Sequence, residues 1–86
     1  MKIEFSRRAA KQFRLLHRNA DLFKRILTAL SVISINPEQG KALDGDFEGS
    51  FSYRVGDWRI LYQIDTGRIV VFVITIAHRR EVYRQS

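Results

Sequence analysis

The stretch Ser52–Ile64, S-Y-R-V-G-D-W-R-I-L-Y-Q-I, sets two arginines, Arg54 and Arg59, on either side of Gly56-Asp57. A Gly-Asp pair between alternating residues reads as a two-residue hairpin turn. Val55 then pairs with Trp58, Arg54 with Arg59, and Tyr53 with Ile60. Like charges directly opposed on neighbouring strands destabilise a sheet. Two guanidiniums whose Cβ atoms stand ~5 Å apart are also a fork of the right size for a phosphate. The competing reading is that each arginine turns to a carboxylate such as Asp57 or Glu81 and binds nothing.

The segment after the last strand, H-R-R-E-V-Y, adds His78, Arg79, Arg80 and Tyr83. It leaves the strand at the turn end of the hairpin, which predicts that these residues lie near Arg54 and Arg59. The set is rich in arginine and poor in carboxylates. It lacks the grouped His, Asp and Glu ligands of a metal site, so no cofactor is expected. It has no nucleophilic serine or cysteine constellation and no glycine-rich phosphate loop. One reaction suits it: RNA cleavage by the substrate's own 2′-hydroxyl. That reaction needs a base at the hydroxyl, positive charge for the developing phosphorane, and a proton for the leaving oxygen. A tyrosine is a weak base at its usual pKa of about 10, and neighbouring guanidiniums favour its phenolate. The bland alternative for Tyr83 is an aromatic covering the sheet edge.

The elements that must hold these groups can be read from the rest of the chain. Its 86 residues are enough for one domain, 1–86, and 45% hydrophobic content is enough for a modest core. A net charge of +6 points to a polyanionic partner, with plain solubility as the alternative. There is no cysteine, which fits a reducing cytoplasm. No segment approaches the roughly 18 apolar residues of a membrane span, so no membrane partner is expected.

K-I-E-F alternates and reads as a first strand. Ser6 stands where a helix N-cap should, ahead of R-R-A-A-K-Q-F-R-L-L-H-R. Ala9, Phe13, Leu16 and Ala20 share one side of that helix. Arg7, Lys11, Arg14 and Arg18 share the other, as an RNA-tracking stripe or as a solvated face. Asn19 or Asp21 can recap the chain for a second helix, L-F-K-R-I-L-T-A-L-S-V-I-S-I, with Leu22, Phe23, Ile26, Leu27, Leu30 and Ile33 inward. Asn36-Pro37 ends it. The loop from Asn36 to Gly49 is long for so small a domain, with Leu43 and Phe47 as its expected anchors.

Three strands follow, Phe51–Val55, Trp58–Ile64 and Ile69–Ile76, with Thr66-Gly67 as the second two-residue turn. Ile64 then pairs with Ile69, Tyr62 with Val71 and Ile60 with Val73. Alternation puts Phe51, Tyr53, Val55, Trp58, Ile60, Tyr62, Ile64, Ile69, Val71, Val73 and Thr75 on one apolar face under the helices. Ser52, Arg54, Arg59, Leu61, Gln63, Val70, Phe72 and Ile74 take the other. The predicted architecture is α+β, in the order β-α-α-β-β-β: an antiparallel sheet with an N-terminal helical hairpin packed on one face. Leu61, Phe72 and Ile74 form an apolar strip beside the basic patch, suited to an amphipathic acidic helix. Alternatively, C-terminal residues fold back over part of it.

Y-R-V-G-D-W-R-I-L-Y-Q-I followed by V-I-T-I-A-H-R-R-E-V-Y resembles the RelE branch of the RelE/ParE superfamily of toxins from type II toxin–antitoxin pairs. The resemblance extends to the two N-terminal helices and to the P-x-x-G-K-x-L-x-G loop, here Pro37 to Gly45. It implies a ribosome-dependent mRNA endonuclease that inhibits translation. It implies as partners a cognate antitoxin in a hetero-oligomer, the ribosome and mRNA. It gives Arg59, Arg54 and Arg79 the role of holding the scissile phosphate, with an arginine as proton donor, Tyr83 that of base, and Arg7, Lys11, Arg14 and Arg18 that of ribosomal RNA contacts; Arg80 is a further candidate RNA contact. His78 is an alternative for proton transfer. This chain departs from the pattern at Ser52, where such hairpins often carry a lysine. Two other readings stand beside this one: a ParE-like gyrase inhibitor of the same fold without nuclease activity, and an RNA-binding module without chemistry.

Overall fold

The structure, a computed structural model, describes residues 1–82. The chain runs β1 (Lys2–Phe5), α1 (Arg7–Leu15), α2 (Ala20–Ile35), β2 (Lys41–Ala42), β3 (Phe51–Val55), β4 (Trp58–Asp65), β5 (Val70–His78) and α3 (Arg79–Val82). The five strands form one sheet in the order β1-β5-β4-β3-β2. Among the described residues no helix is long and apolar enough to cross a membrane.

Ser6 caps α1 as its position predicts: its Oγ accepts from the Ala9 N–H at 3.0 Å and donates to Ile74 O at 2.6 Å, so the cap also ties the helix to β5. Asn19 caps α2 through Leu22 N–H at 3.1 Å. Between the two helices the backbone tightens into a 3₁₀ turn over Leu16–Arg18. Phe13 stacks on Phe5 and meets Phe23 at a tilt, each at 5.1 Å, and joins β1, α1 and α2 at one point. Leu22, Ile26, Ala29, Leu30 and Ile33 bury the inner stripe of α2 against Val55, Ile60, Tyr62, Val71, Val73 and Ile76 of the sheet. Leu27, expected inward, lies one step round the helix from that stripe and is exposed.

The sheet is mixed rather than antiparallel, because β1 pairs with β5 in parallel, Lys2 to Val70 and Phe5 to Val73. A four-residue alternating strand presents the same faces in either direction, so its pattern carries no information about orientation. A short β2 also joins, Lys41 pairing with Ser52 and Ala42 with Phe51.

The β3–β4 hairpin has the predicted register, from Val55–Trp58 through Arg54–Arg59 to Phe51–Tyr62. The β4–β5 register differs. Thr66 to Ile69 form a four-residue loop closed by Asp65–Val70, and Asp65 Oδ1 accepts the Arg68 N–H at 3.1 Å. Ile69 is therefore no strand residue. It sits in the loop with φ 57° and is 63% exposed, not under the helices. Tyr62 pairs with Val73 and Ile64 with Val71.

A bulge then sets Ile74 and Thr75 against Leu61 alone, so that Ile60 meets Ile76. Gln12 of α1 serves the bulge: its Oε1 accepts from Ile76 N–H at 2.7 Å and Thr75 Oγ1 at 3.1 Å. Gln12→Leu leaves both donors without that partner in a buried place. It should cost about 1–3 kcal/mol, read as a lowered midpoint of urea unfolding at unchanged slope.

Candidate functional site

Arg54 and Arg59 face each other on the side of the sheet away from the helices, and their shared acceptor explains how they tolerate it. Arg54 Nε donates to Gly56 O at 3.0 Å and Arg59 NH1 to the same oxygen at 3.3 Å, with a further bond from NH1 to Trp58 O at 3.1 Å. The turn carbonyl thus supplies partial negative charge between two guanidiniums. Neither arginine turns to Asp57 or Glu81: among the described residues the one ion pair is Arg68–Glu4 at 3.2 Å, at the other end of the sheet.

Lys41 is a third cation here, and sequence reasoning gave it no role. It pairs with Ser52, so a cation from β2 stands beside the strand that carries Arg54. Lys41, Leu43, Ser52, Arg54 and Arg59 line a hollow of about 290 Å³. The signal was present in the sequence, since Lys41 is the lysine of the P-x-x-G-K-x-L-x-G loop. Its distance from the hairpin along the chain concealed the neighbourhood.

Tyr62 fixes that loop. Its buried hydroxyl donates to Pro37 O at 2.7 Å and accepts from Gly40 N–H at 3.1 Å. A Cβ at Gly40 would fall 2.4 Å from the hydroxyl, so the approach requires glycine. Burial pushes the Tyr62 pKa above its usual value, against the lowering by the Gly40 N–H and with a further rise from Tyr53. The folded state therefore favours the neutral phenol. This contribution is complete below about pH 10, where an unfolded tyrosine is also neutral, and is lost as pH rises from there through the raised folded value. Tyr62→Phe should lower stability by about 1–2 kcal/mol at pH 7. It should also flatten the fall in melting temperature measured between about pH 9 and 11.

Arg25 is the second residue that sequence reasoning missed. It projects from α2 toward the β3–β4 turn, its NH2 only 2.9 Å from where a Cβ on Gly56 would lie. Three guanidiniums from three elements, Arg25, Arg54 and Arg59, converge on one glycine. Nothing in the helical periodicity marks Arg25, because only the tertiary packing of α2 over β3 brings it there.

The segment after β5 reaches the same turn through its backbone: Arg79 N–H donates to Asp57 O at 2.7 Å. The side chains of Arg79 and Arg80 are exposed. His78 is not brought to the arginine pair. It pairs with Trp58, whose side of the sheet is the helix side, and its ring meets the Trp58 ring edge-on at 6.0 Å. The bulge is the cause, since one extra residue in β5 inverts the alternation beyond it. His78 Nδ1 accepts from Arg80 N–H at 3.3 Å. Tyr83 lies outside the described residues.

The basic stripe is shorter than predicted. Arg7, Lys11 and Arg14 are exposed on α1, whereas Arg18 falls in the 3₁₀ turn and departs from their line. The apolar strip is also reduced. Leu61 is 2% exposed because Leu43 and Phe47, the loop anchors, cover it together with Ala77 and Ile74. The chain's own loop occupies that part of the face, so Leu61 is not available to a partner. Ile74 is half-buried and Phe72 is 36% exposed.

Arg54, Arg59 and the loop-borne Lys41 thus bring three cations to one end of the sheet face away from the helices. The family profile described as "ParE toxin of type II toxin-antitoxin system, parDE" matches residues 3–83. The chain belongs to that family, and so to the RelE/ParE superfamily of toxins of type II toxin–antitoxin systems. Toxin RelE of Mycobacterium tuberculosis is 46% identical over 52 residues, covering 59% of this chain and 54% of that protein. The chain spans about half the length of the curated relatives it matches. Among solved structures, the RelBE2 toxin–antitoxin complex of M. tuberculosis contains a chain with TM-score 0.78 and 28% identity, covering 91% of this chain and 96% of that one. The YoeB/ParE toxin from Agrobacterium tumefaciens gives TM-score 0.82 at 20% identity, over 91% and 98% of the two chains, a likeness of fold.

Proposed function

We propose that this toxin is an mRNA endonuclease of the RelE kind, acting on translating ribosomes in the cytoplasm. The observation that carries the reading is the Arg54–Arg59 fork, held open by a backbone carbonyl and free of carboxylates among the described residues. A bound phosphodiester replaces the weak carbonyl acceptor with full negative charge, and the fork is already formed to receive it.

In the proposed reaction the ribose 2′-oxygen attacks the adjacent phosphorus and loses its proton to a base. The 5′-oxygen of the next nucleotide leaves and takes up a proton, so the products end in a 2′,3′-cyclic phosphate and a 5′-hydroxyl. Arg59 and Arg54 stabilise the phosphorane, with Lys41 beside them and Arg79 entering from the Asp57 side of the turn. Tyr83 is the proposed base, as the resemblance implies. His78 is the weaker alternative, because its ring lies on the opposite side of the sheet from the arginines. Arg7, Lys11, Arg14, Arg18 and Arg80 are the proposed outer contacts to RNA.

A cognate antitoxin is the proposed regulator, supported by the complex in which the 28%-identical relative is found. Its seat on the sheet is Phe72 and Ile74, the part of the strip that the loop leaves uncovered. The family's own description names ParE, which supports a second reading: a gyrase inhibitor without nuclease activity. Primer extension on a translated mRNA, run beside a gyrase supercoiling assay, separates the two. Cuts at defined codon positions with supercoiling intact support the nuclease. Inhibited supercoiling with intact mRNA would establish the other.

A further inference from the structure

The arginine fork accounts for only one side of the β3–β4 turn. On the other side, between α2 and the outer edge of β3, lies a cleft of about 390 Å³ lined by Lys24, Arg25, Thr28, Tyr53, Arg54 and Gly56 among others. Arg54 lines both this cleft and the hollow that holds Arg59 and Lys41, so the two form one basic surface folded over the turn.

Three features of the cleft point to what it takes. Lys24, Arg25 and Arg54 are exposed cations, and the one ion pair among the described residues is elsewhere. The strand edge beside them lacks a partner among the described residues, since β2 pairs only with Phe51 and Ser52 and leaves Tyr53–Val55 uncovered. The apolar lining is limited to Ala29 and Val55, both buried, so an amphipathic peptide finds no anchor there. Cations along a groove with a half-buried tyrosine and a strand edge suit the backbone of a single-stranded nucleic acid, whose phosphates meet the cations while bases meet aromatic or backbone groups.

We propose that the α2–β3 cleft is a second phosphate subsite, in which Arg25 and Lys24 hold the RNA backbone next to the scissile phosphate and Arg54 is shared between the two. The inference rests on the nuclease reading for the identity of the polymer and adds to it the path of the strand. Arg25 also acts on the turn itself: its guanidinium lies over Gly56, whose carbonyl aligns Arg54 and Arg59. An occupied cleft therefore neutralises a further positive charge beside the fork.

The test is the affinity of an uncleavable probe, a short fluorescent all-2′-O-methyl oligouridylate, for wild-type protein and for Lys24→Ala/Arg25→Ala, measured by anisotropy over a series of salt concentrations. Both side chains are exposed, and melting temperature serves as the folding control. The double variant should bind roughly tenfold more weakly, and its salt slope should shrink by about 0.7–1.4 in magnitude, the loss of one or two phosphate contacts to a single strand. Arg25→Lys with Lys24 retained should recover most of the slope. That result supports the subsite whether or not the wild-type toxin cuts translated mRNA. Equal affinity and slope in wild type and variant would overturn it even where cutting occurs. A wild-type protein that does not bind the probe would overturn it as well, as would a defect confined to antitoxin binding.

Discussion

Arg59→Ala should slow mRNA cleavage by about 10²–10³-fold while leaving the fold intact, because in the proposed mechanism it removes a donor aimed at charge that develops only in the transition state. The side chain is half-buried, pairs across the sheet with Ala77, and makes its hydrogen bonds to the carbonyls of Gly56 and Trp58 rather than to any core group. Its loss leaves no charge unpaired, since among the described residues it has no carboxylate partner. The melting temperature should therefore move by only a few degrees, as for most surface substitutions. Arg59→Lys is the informative companion. A lysine keeps the charge and loses the planar fork, so it should recover only part of the rate. The check is a time course of primer-extension products on one translated mRNA with the three proteins at equal concentration.

Gly56→Val should damage the site through the turn backbone that aligns it, with Arg54 and Arg59 themselves unchanged. Gly56 has φ 61°, a region that costs a side-chain-bearing residue roughly 1–2 kcal/mol. Its Cβ would also meet Arg25 NH2 at 2.9 Å, so the helix-borne guanidinium must move or the turn must tilt. Either response shifts the Gly56 carbonyl that positions Arg54 and Arg59. Displacements of about 1 Å in positioning groups can cost on the order of 10²-fold in rate. The expected result is a drop in melting temperature together with a loss of cleavage approaching that of Arg59→Ala. Gly56→Val/Arg25→Ala should relieve the steric part and recover some stability, but not the backbone strain. Thermal unfolding of the single and double variants measures the two contributions separately.

The same turn marks how far the sequence could be read. Gly56-Asp57 fixes a hairpin register because a two-residue turn leaves one pairing to each residue, and all five β3–β4 pairs follow from it. Thr66-Gly67 looked equivalent and is not: Asp65 holds Arg68 in a four-residue loop, and no local pattern distinguishes the two cases. The bulge at Leu61 is equally silent in the sequence. Its partner, the Gln12 carboxamide, sits 64 residues before the Ile76 N–H it accepts from, and the contact exists only after folding. That one inserted residue moved His78 to the helix side. The caps at Ser6 and Asn19 were legible because capping is local chemistry. Arg54 and Arg59 were legible for the same reason, being fixed by a turn between them. Lys41 and Arg25 were not, since one depends on Tyr62 anchoring a long loop and the other on the placement of α2. The direction of β1 could not be read either, as alternation is blind to it.

In the proposed reaction the RNA supplies the nucleophile, and the protein supplies only charge and proton transfer. The most direct measurement takes an mRNA whose cut position has been mapped and replaces that single nucleotide by its 2′-deoxy form, then translates it with the toxin present. Cleavage at this position should disappear while cuts at other codons on the same message persist. Cleavage that continues at the 2′-deoxy position would contradict the proposed reaction and would require a nucleophile from outside the substrate.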